Sequence, residues 1–191
     1  MFDQNQHNKH SQPKSMDLKS EILKSGDKAH VLYIVNLIGD DEEKFALLMD
    51  MFFDKQYATR MRISWILMHV ADAQPQLVPP YFEKMILNLR TPKLIDAIKR
   101  NTLRTIAELN PKLPEELTGH ALDICFDFLI STKEPVATKV HAMQVIYNLC
   151  QNEPELLNEL KMVIEDQMDY GSTGFKARGR KILKAISKIT Q

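Results

Sequence analysis

The residues best suited to chemistry in this sequence are two histidines, a single tryptophan and several arginines, all in helical stretches of the chain. His69 and His141 are able to exchange protons near neutral pH, but local spacing places no nucleophile or carboxylate beside either of them. The sequence contains no His-Glu-x-x-His, no Cys-x-x-Cys, no Gly-x-x-x-x-Gly-Lys loop and no Gly-x-Ser-x-Gly elbow. We therefore predict no catalytic residue, no metal ligand and no cofactor.

The segment 171–174 superficially suggests an anion site, because it precedes a basic helix whose first N–H groups would point at a ligand. It lacks the spacing of a phosphate-binding loop. We interpret Gly171 as the end of one helix and Ser172 or Thr173 as the N-cap of the next.

The composition is that of a protein without a strong global charge. Lys and Arg together number 25, as do Asp and Glu, so no whole-chain attraction to nucleic acid or membrane is expected. The polar segment 1–15 has no apolar core of a signal peptide, and no stretch approaches the roughly 18 apolar residues of a membrane span. Cys125 and Cys150 lie in apolar runs, which is typical of buried free thiols in a reducing compartment. We predict a cytoplasmic protein with a disordered tail at 1–15 and a single domain at 16–191. The sequence leaves its oligomeric state open, and a monomer is the default.

From residue 16 onward the chain is predicted to form helix after helix, in pairs joined by short loops that force antiparallel neighbours. We call the members of each pair the first helix and the second helix. The predicted pairs are 17–25 with 28–38, 41–53 with 56–72, 78–90 with 94–109, 114–130 with 135–150, and 154–169 with 173–189.

The second helices resemble one another at intervals of roughly 40 residues, which is the signature of a repeat protein. A basic residue recurs at one aligned position, and apolar columns follow it at helical spacing, so they form one face. The basic column is Arg60, Lys99, Lys139 and Lys176. The following columns are Ile66, Thr105, Val145 and Ile182; Leu67, Ile106, Ile146 and Leu183; and Val70, Leu109, Leu149 and Ile186.

A basic residue three positions before a small or apolar one, with an apolar residue four further on, resembles the second helix of a HEAT repeat. The matching triplets are Arg60-Ile63-Leu67, Lys139-Ala142-Ile146 and Lys176-Gly179-Leu183. The family also favours an acidic residue shortly before the basic one. Asp54 fits this preference, whereas Lys93 and Lys133 do not, so we expect only a partial ladder of such pairs.

The resemblance covers about residues 27–191 and implies an all-α fold. That fold is an α-α superhelix: a right-handed solenoid of about five antiparallel helix pairs, with the second helices lining its concave side and the short first pair acting as a terminal cap. The chain is also similar to small bacterial helical-repeat proteins, many of which lack an assigned activity. Such repeats host many roles, so the resemblance implies architecture more than function.

The alignment predicts that the non-apolar columns of the second helices face outward in one stripe. The stripe is either a solvated helix face or a ligand groove. Trp65, the only tryptophan, and the arginines favour a groove, because both residue types are enriched where binding energy is concentrated. Trp65 is equally able to pack under a neighbouring repeat. The candidate partner-binding residues are Arg62, Trp65, His69, Asn101, Arg104, Glu108, His141, Gln144 and Asn148. The leading hypothesis is a non-catalytic scaffold that binds a protein segment there, anchored by Trp65, Arg62 and Arg104.

Charge segregation supports a second hypothesis, nucleic-acid binding. The stretch 152–170 is acidic, whereas 171–191 holds six basic residues and no acid. Lys176, Arg178 and Lys181 are candidate anion-binding residues, unless the acidic and basic helices neutralise each other. A DNA-glycosylase-like HEAT enzyme, with Trp65 and Asp72 on one face, is the enzymatic alternative, although the chain is short for such an enzyme.

Overall fold

The computed structural model describes residues 15–24, 26–55 and 59–189. Within these ranges the chain forms ten α-helices, two short 3-10 helices and no strand, which confirms the all-α prediction. The α-helices are α1 (Ser15–Leu23), α2 (Lys28–Ile38), α3 (Glu42–Phe53), α4 (Arg60–Ala73), α5 (Phe82–Asn88), α6 (Asp96–Leu109), α7 (Glu115–Ile130), α8 (Val136–Leu149), α9 (Pro154–Gln167) and α10 (Thr173–Ile189). The predicted tail lies outside the described residues, apart from Ser15, where α1 begins.

Polar side chains cap the N-termini of several helices, close to the positions predicted from the sequence. Asp27 accepts a backbone N–H at 3.0 Å, and Asp41 accepts two, at 3.0 and 3.1 Å. These bonds satisfy N–H groups that have no partner within the first turn of a helix. Ser172 likewise accepts the N–H of Phe175 at 3.3 Å, so its interpretation as an N-cap is confirmed.

The third pair departs from the predicted continuous helix over 78–90. A 3-10 helix, Pro75–Leu77, precedes this range. A second, Pro79–Tyr81, occupies its first part, and regular α-helix begins only at Phe82. The reason is that prolines lack the N–H that an α-helix needs and are tolerated only near its first turn. Helix α5 is therefore short, and the segment before it becomes a bulky proline-rich linker.

The apolar columns of the second helices form the core, as predicted, although Leu109, Leu149 and Leu183 are only partly buried at its edge. Ile66, Val145 and Ile182 are at most 3% exposed, and Thr105 occupies the same buried column in the third pair. Burying an aliphatic side chain of this size contributes about 1.5–3 kcal/mol. The repeated column therefore supplies much of the energy that holds one pair onto the next.

The helices form two layers that differ in how closely their members pack. Every second helix packs against the next, so α2, α4, α6, α8 and α10 form an unbroken row, whereas the first helices contact one another less. A two-layer stack curves toward the layer whose members lie closer together, which indicates that the second helices line the inner side of the solenoid. No helix in the described part of the chain is both long and apolar enough to cross a membrane.

Candidate binding surface

The inner surface is the solvent-facing side of α2, α4, α6, α8 and α10, and Trp65 lies on its α4 portion. The indole is partly buried against the core, and its ring centroid is 5.9 Å from that of His69 one turn later. One turn earlier, Met61 is 56% exposed. These three side chains form an apolar and aromatic strip along α4 that remains accessible to a partner.

Arg104 is held in an ion cluster between α4 and α6. Its Nε donates to Glu108 Oε1 at 2.8 Å, and its Nη2 lies 3.4 Å from Asp72 Oδ2. The hydrogen bond from Arg104 lowers the pKa of Glu108. Burial raises the pKa of Asp72, against the opposing charge of Arg104. The predicted anchor is therefore neutralised within the molecule, and Asp72 is engaged rather than free to face a substrate.

His69 belongs to the edge of this cluster. Its Nδ1 lies 3.8 Å from Asp72 Oδ2. Burial lowers the pKa of His69, and the nearby carboxylate of Asp72 offsets part of that effect. A neutral imidazole beside Trp65 extends the apolar strip rather than adding charge to it.

Arg62, the other predicted anchor, is tied to the first pair. Its Nη1 donates to the carbonyl oxygens of Ile22 and Leu23 at 3.3 and 3.2 Å, and also to that of Lys24. These carbonyls lie at the C-terminus of α1, where intrahelical partners run out and a positive charge is favourable. Arg62 thus caps α1 and joins it to α4.

Asn101 corrects the prediction that all of the candidate partner-binding residues face outward. Asn101 is only 4% exposed, and its Nδ2 donates to Ser64 Oγ at 3.0 Å. Its Oδ1 accepts from Arg100 Nε at 3.2 Å. The closely packed α4 and α6 trap this position between them, so the amide is paired inside the interface instead of facing a ligand.

The remaining predicted residues form a polar relay across α6, α8 and α10. Arg178 Nη1 donates to Gln144 Oε1 at 2.7 Å, and Gln144 Nε2 donates to Asn148 Oδ1 at 2.7 Å. Asn148 Nδ2 then donates to the carbonyl oxygen of Ala107 at 2.8 Å. All three side chains are partly exposed. The relay joins three consecutive second helices along the inner surface.

His141 lies beside this relay. Burial, with smaller effects from the charges of Arg178 and Arg104, lowers its pKa to about 4. The imidazole is therefore neutral at physiological pH, and it contributes no positive charge to the inner surface.

Comparison with known proteins decides the family. The chain matches the family model described as HEAT repeat domain over residues 18–186. The chain belongs to this family. A solved structure titled as an engineered protein superposes with a TM-score of 0.57 at 10% identity, covering 92% of this chain and 89% of that one. That likeness concerns the fold alone, and no curated protein matches the chain.

The basic column of these HEAT repeats is structural, because its members contact groups of their own pair or of the next pair. Arg60 Nε donates to the carbonyl oxygen of Phe52 at 3.0 Å, within its own pair. Lys99 Nζ instead reaches forward to Glu134 in the following pair, at 2.5 Å. Lys99 Nζ also lies 3.4 Å from Asp96 Oδ1, so it contacts one carboxylate of its own helix and one of the next pair.

The other two members of the column repeat these two arrangements: Lys139 reaches the next pair, as Lys99 does, and Lys176 bonds within its own pair, as Arg60 does. Lys139 Nζ donates to Gln167 Oε1 at 2.9 Å, and Lys176 Nζ donates to the carbonyl oxygen of Asp169 at 3.0 Å. Of the candidate anion-binding residues, Lys176 and Arg178 thus have intramolecular partners. Lys181 is exposed on α10.

Two clefts that the sequence did not single out lie where second helices lead into linkers. The smaller, here called the acidic cleft, has a volume of about 220 Å³ and lies between α4 and α6. It is lined by Ala71, Asp72, Pro75, Thr105, Glu108 and Leu109. The larger, here called the linker groove, has a volume of about 530 Å³, and five prolines line it: Pro75, Pro79, Pro80, Pro111 and Pro114. These proline clusters in neighbouring loops are the one sequence signal that marks the groove.

Proposed function

We propose that this HEAT repeat protein is a non-catalytic scaffold that binds a segment of a partner protein on its inner surface. Members of the family commonly mediate protein interactions through helical-repeat surfaces. The observation that carries the proposal is the strip of Met61, Trp65 and His69 on α4, where a partly buried indole is flanked by accessible apolar surface.

The physical character of this strip suits peptide recognition. An indole offers a large contact area at a small cost in side-chain entropy, and tryptophan is enriched among residues that dominate binding energy. An exposed methionine adapts its shape to different apolar partners. Because Arg62 and Arg104 are occupied within the molecule, we assign them to holding α4 in position and assign the contact itself to the strip.

Site-specific photo-cross-linking tests this proposal. A photoreactive amino acid replaces Met61 in the full chain, and cross-linked proteins are identified by mass spectrometry from the cells that produce it. We expect a defined set of partners at Met61, and we expect the additional substitution Trp65→Ala to reduce their yield at least tenfold, because truncating such an anchor typically costs about 2 kcal/mol or more.

The matched control is Met162 on α9. It is 63% exposed, comparable to Met61, but belongs to the layer of first helices. The same photoreactive residue there should not recover the same set. Identical cross-links at both positions, or yields at Met61 that Trp65→Ala leaves unchanged, would contradict the proposal.

Nucleic-acid binding is the second candidate, and one observation favours it. None of the ion pairs among the described residues joins the acidic helix α9 to the basic helix α10. The exposed cations Arg180, Lys181 and Lys184 therefore retain their charge on the surface of α10. This surface would attract a phosphate backbone through charge alone.

A further inference from the structure

Three cations of the inner surface have no carboxylate partner, and they lie on the two helices that flank α8. They are Arg100 on α6 and Arg178 and Lys181 on α10, and all three are exposed or partly exposed. None of the ion pairs among the described residues includes any of them. Arg100 and Arg178 each donate to a neutral amide, that of Asn101 at 3.2 Å and that of Gln144 at 2.7 Å. Their side chains are thus positioned without being neutralised.

The fold places these cations on either side of α8, and we call Arg100, Arg178 and Lys181 the cationic patch. Arg100 lies one turn before Arg104 on α6, so both side chains share the inner face of that helix. Arg178 reaches α8 through its hydrogen bond, and Lys181 follows on the next turn of α10. Burial chiefly lowers the pKa of His141 on α8, and the charges of all three arginines lower it further. The imidazole therefore lies in a positive field that reaches it from both neighbouring helices.

Helix α8 supplies no negative charge to balance the patch. Its sequence, Val136–Leu149, contains no Asp or Glu. On its inner face it presents the neutral imidazole of His141 and the amides of Gln144 and Asn148. These groups are able to donate or accept hydrogen bonds, but they do not cancel a charge. A ligand lying between α6 and α10 would therefore meet an excess of positive charge together with polar groups.

The surroundings of the cationic patch favour a short acidic segment over a nucleic-acid backbone. Nucleic acid carries a charge at every nucleotide and binds through runs of phosphate contacts, whereas the patch offers three cations. Toward α4 the same surface carries the carboxylates of Asp72 and Glu108, which already hold Arg104. A continuous row of phosphates would meet no unpaired cation there. A protein segment, in contrast, carries its carboxylates only at chosen positions.

We propose that the cationic patch binds acidic side chains of the partner segment, while an apolar or aromatic residue of that segment contacts the strip on α4. The inference rests on the proposed function and specifies the partner's chemistry. Arg100 and Arg178 retain unused N–H donors, which suit a carboxylate. Packed helices lie about 8–10 Å apart and an extended chain advances about 3.3 Å per residue. An extended segment would therefore carry acids about three positions from its apolar residue, to reach α6, and about eight positions from it, to reach α10.

A randomised peptide library displayed on phage, selected against the purified full chain, tests the inference. Selected peptides are then synthesised with a rhodamine label, and their affinities are measured by fluorescence anisotropy. We expect an apolar or aromatic residue together with at least two Asp or Glu residues on one side of it. Replacing those acids with Asn or Gln should weaken binding at least tenfold, because the charge-assisted hydrogen bonds are lost. Added salt should weaken the acidic peptide more than its amide version.

Two double variants of equal charge locate the acids. Arg100→Gln combined with Lys181→Gln removes two exposed cations from the patch and should weaken the acidic peptide at least tenfold. Arg180→Gln combined with Lys161→Gln removes two exposed cations outside the patch and should leave its affinity within about twofold. Arg180 lies two residues after Arg178 and therefore on nearly the opposite face of α10, and Lys161 belongs to α9. Circular dichroism verifies that both variants remain as helical as the unmodified chain.

The outcomes separate this inference from the proposed function. Selected peptides without acidic residues, or equal affinity of the two double variants for an acidic peptide, would overturn the acidic-segment assignment while leaving a scaffold in place. A DNA duplex that binds more tightly than the selected peptides and loses its affinity in the Arg100→Gln, Lys181→Gln variant would also overturn it, in favour of nucleic acid. If no peptide is selected and no specific cross-link forms at Met61, the proposed function itself fails, and the inference fails with it.

Discussion

Asn101 and Asn148 belong to the same predicted stripe, yet they meet different surroundings. Asn148 is partly exposed and donates to a backbone carbonyl, whereas Asn101 is enclosed between α4 and α6 and bonds to Ser64. Successive residues on a helix differ in direction by about 100°, so a small rotation of α6 about its axis decides which side of the interface a position faces. Sequence columns locate a face but do not fix that rotation.

The buried position of Asn101 predicts a measurable stability effect. Asn101→Ala should lower the free energy of unfolding by roughly 1–3 kcal/mol, because it removes the enclosed amide that donates to Ser64 and accepts from Arg100. Urea unfolding followed by circular dichroism measures the change. Asn158→Ala, at an exposed position of α9, is the control and should change the free energy by less than about 0.5 kcal/mol. Equal effects of the two substitutions would mean that Asn101 is not enclosed.

At the scale of the helices, one glycine sets how closely the last pair packs. A Cβ built at Gly179 would lie 3.0 Å from Ile164 Cγ2 and 3.1 Å from Met168 Sδ. Gly179 falls in the column that holds isoleucine, threonine and alanine in the earlier repeats. Helix α10 therefore lies closer to α9 than a larger residue would permit.

Substitutions at two glycines should act in opposite directions. Gly179→Val should lower the free energy of unfolding by about 1–3 kcal/mol, because the added carbons overpack the contact with α9. Gly119→Ala should raise it by about 0.5–1 kcal/mol, because that Cβ would meet open space within α7 and alanine favours a helix. The measurement is again urea unfolding, and a Gly179→Val variant as stable as the unmodified chain would contradict the packing described for α10.

Much of the element order was predictable, because helices are specified by local signals. The periodic columns are read from the sequence itself, as are Pro114 before α7, Pro135 before α8 and Pro154 at the start of α9. The late start of α5 was not predicted from the sequence. A lone proline is tolerated in the first turn of an α-helix, but the closely spaced Pro75, Pro79 and Pro80 are not. The acidic cleft was also missed. It depends on where the linkers after α4 and α6 run, and that path is set by tertiary packing rather than by local sequence.

The polar partners of the repeats illustrate the same limit. Lys99 pairs with Glu134, and Arg62 caps α1 from α4. Each bond joins residues between 35 and 40 positions apart. The sequence identifies the basic residues but not which neighbour supplies the acceptor. Charges that look free in the sequence, such as Arg62 and Arg104, are therefore occupied in the fold.

At the scale of the whole molecule, the net charge is zero, but the acidic and basic side chains are unevenly distributed over the surface. The acids of α9 and the cations of α10 belong to different layers of the stack, and no ion pair among the described residues joins them. At 0.1 M salt, exposed charges are largely screened beyond about 10 Å. A ligand near one surface would therefore respond to the charge of that surface and not to the net charge of the molecule.

This distribution predicts the outcome for the nucleic-acid candidate. If α10 binds nucleic acid, a fluorescein-labelled DNA duplex should bind at low salt, and affinity should fall steeply as salt rises. Arg180→Glu combined with Lys181→Glu should abolish the signal, whereas Lys161→Glu on α9 should not. Fluorescence anisotropy measures all three proteins. Absence of binding by the unmodified chain at low salt would remove this candidate.

The relay along the inner surface also bears on how the chain reaches its fold. Of the hydrogen bonds in the relay, the one from Asn148 to Ala107 spans the largest sequence separation, and that separation is only 41 positions. Each helix pair packs chiefly on its neighbours. Chains dominated by such short-range contacts have low contact order and fold quickly, since little loop-closure entropy precedes each gain. Each helix pair is thus able to settle onto its predecessor during synthesis, before the rest of the chain has emerged.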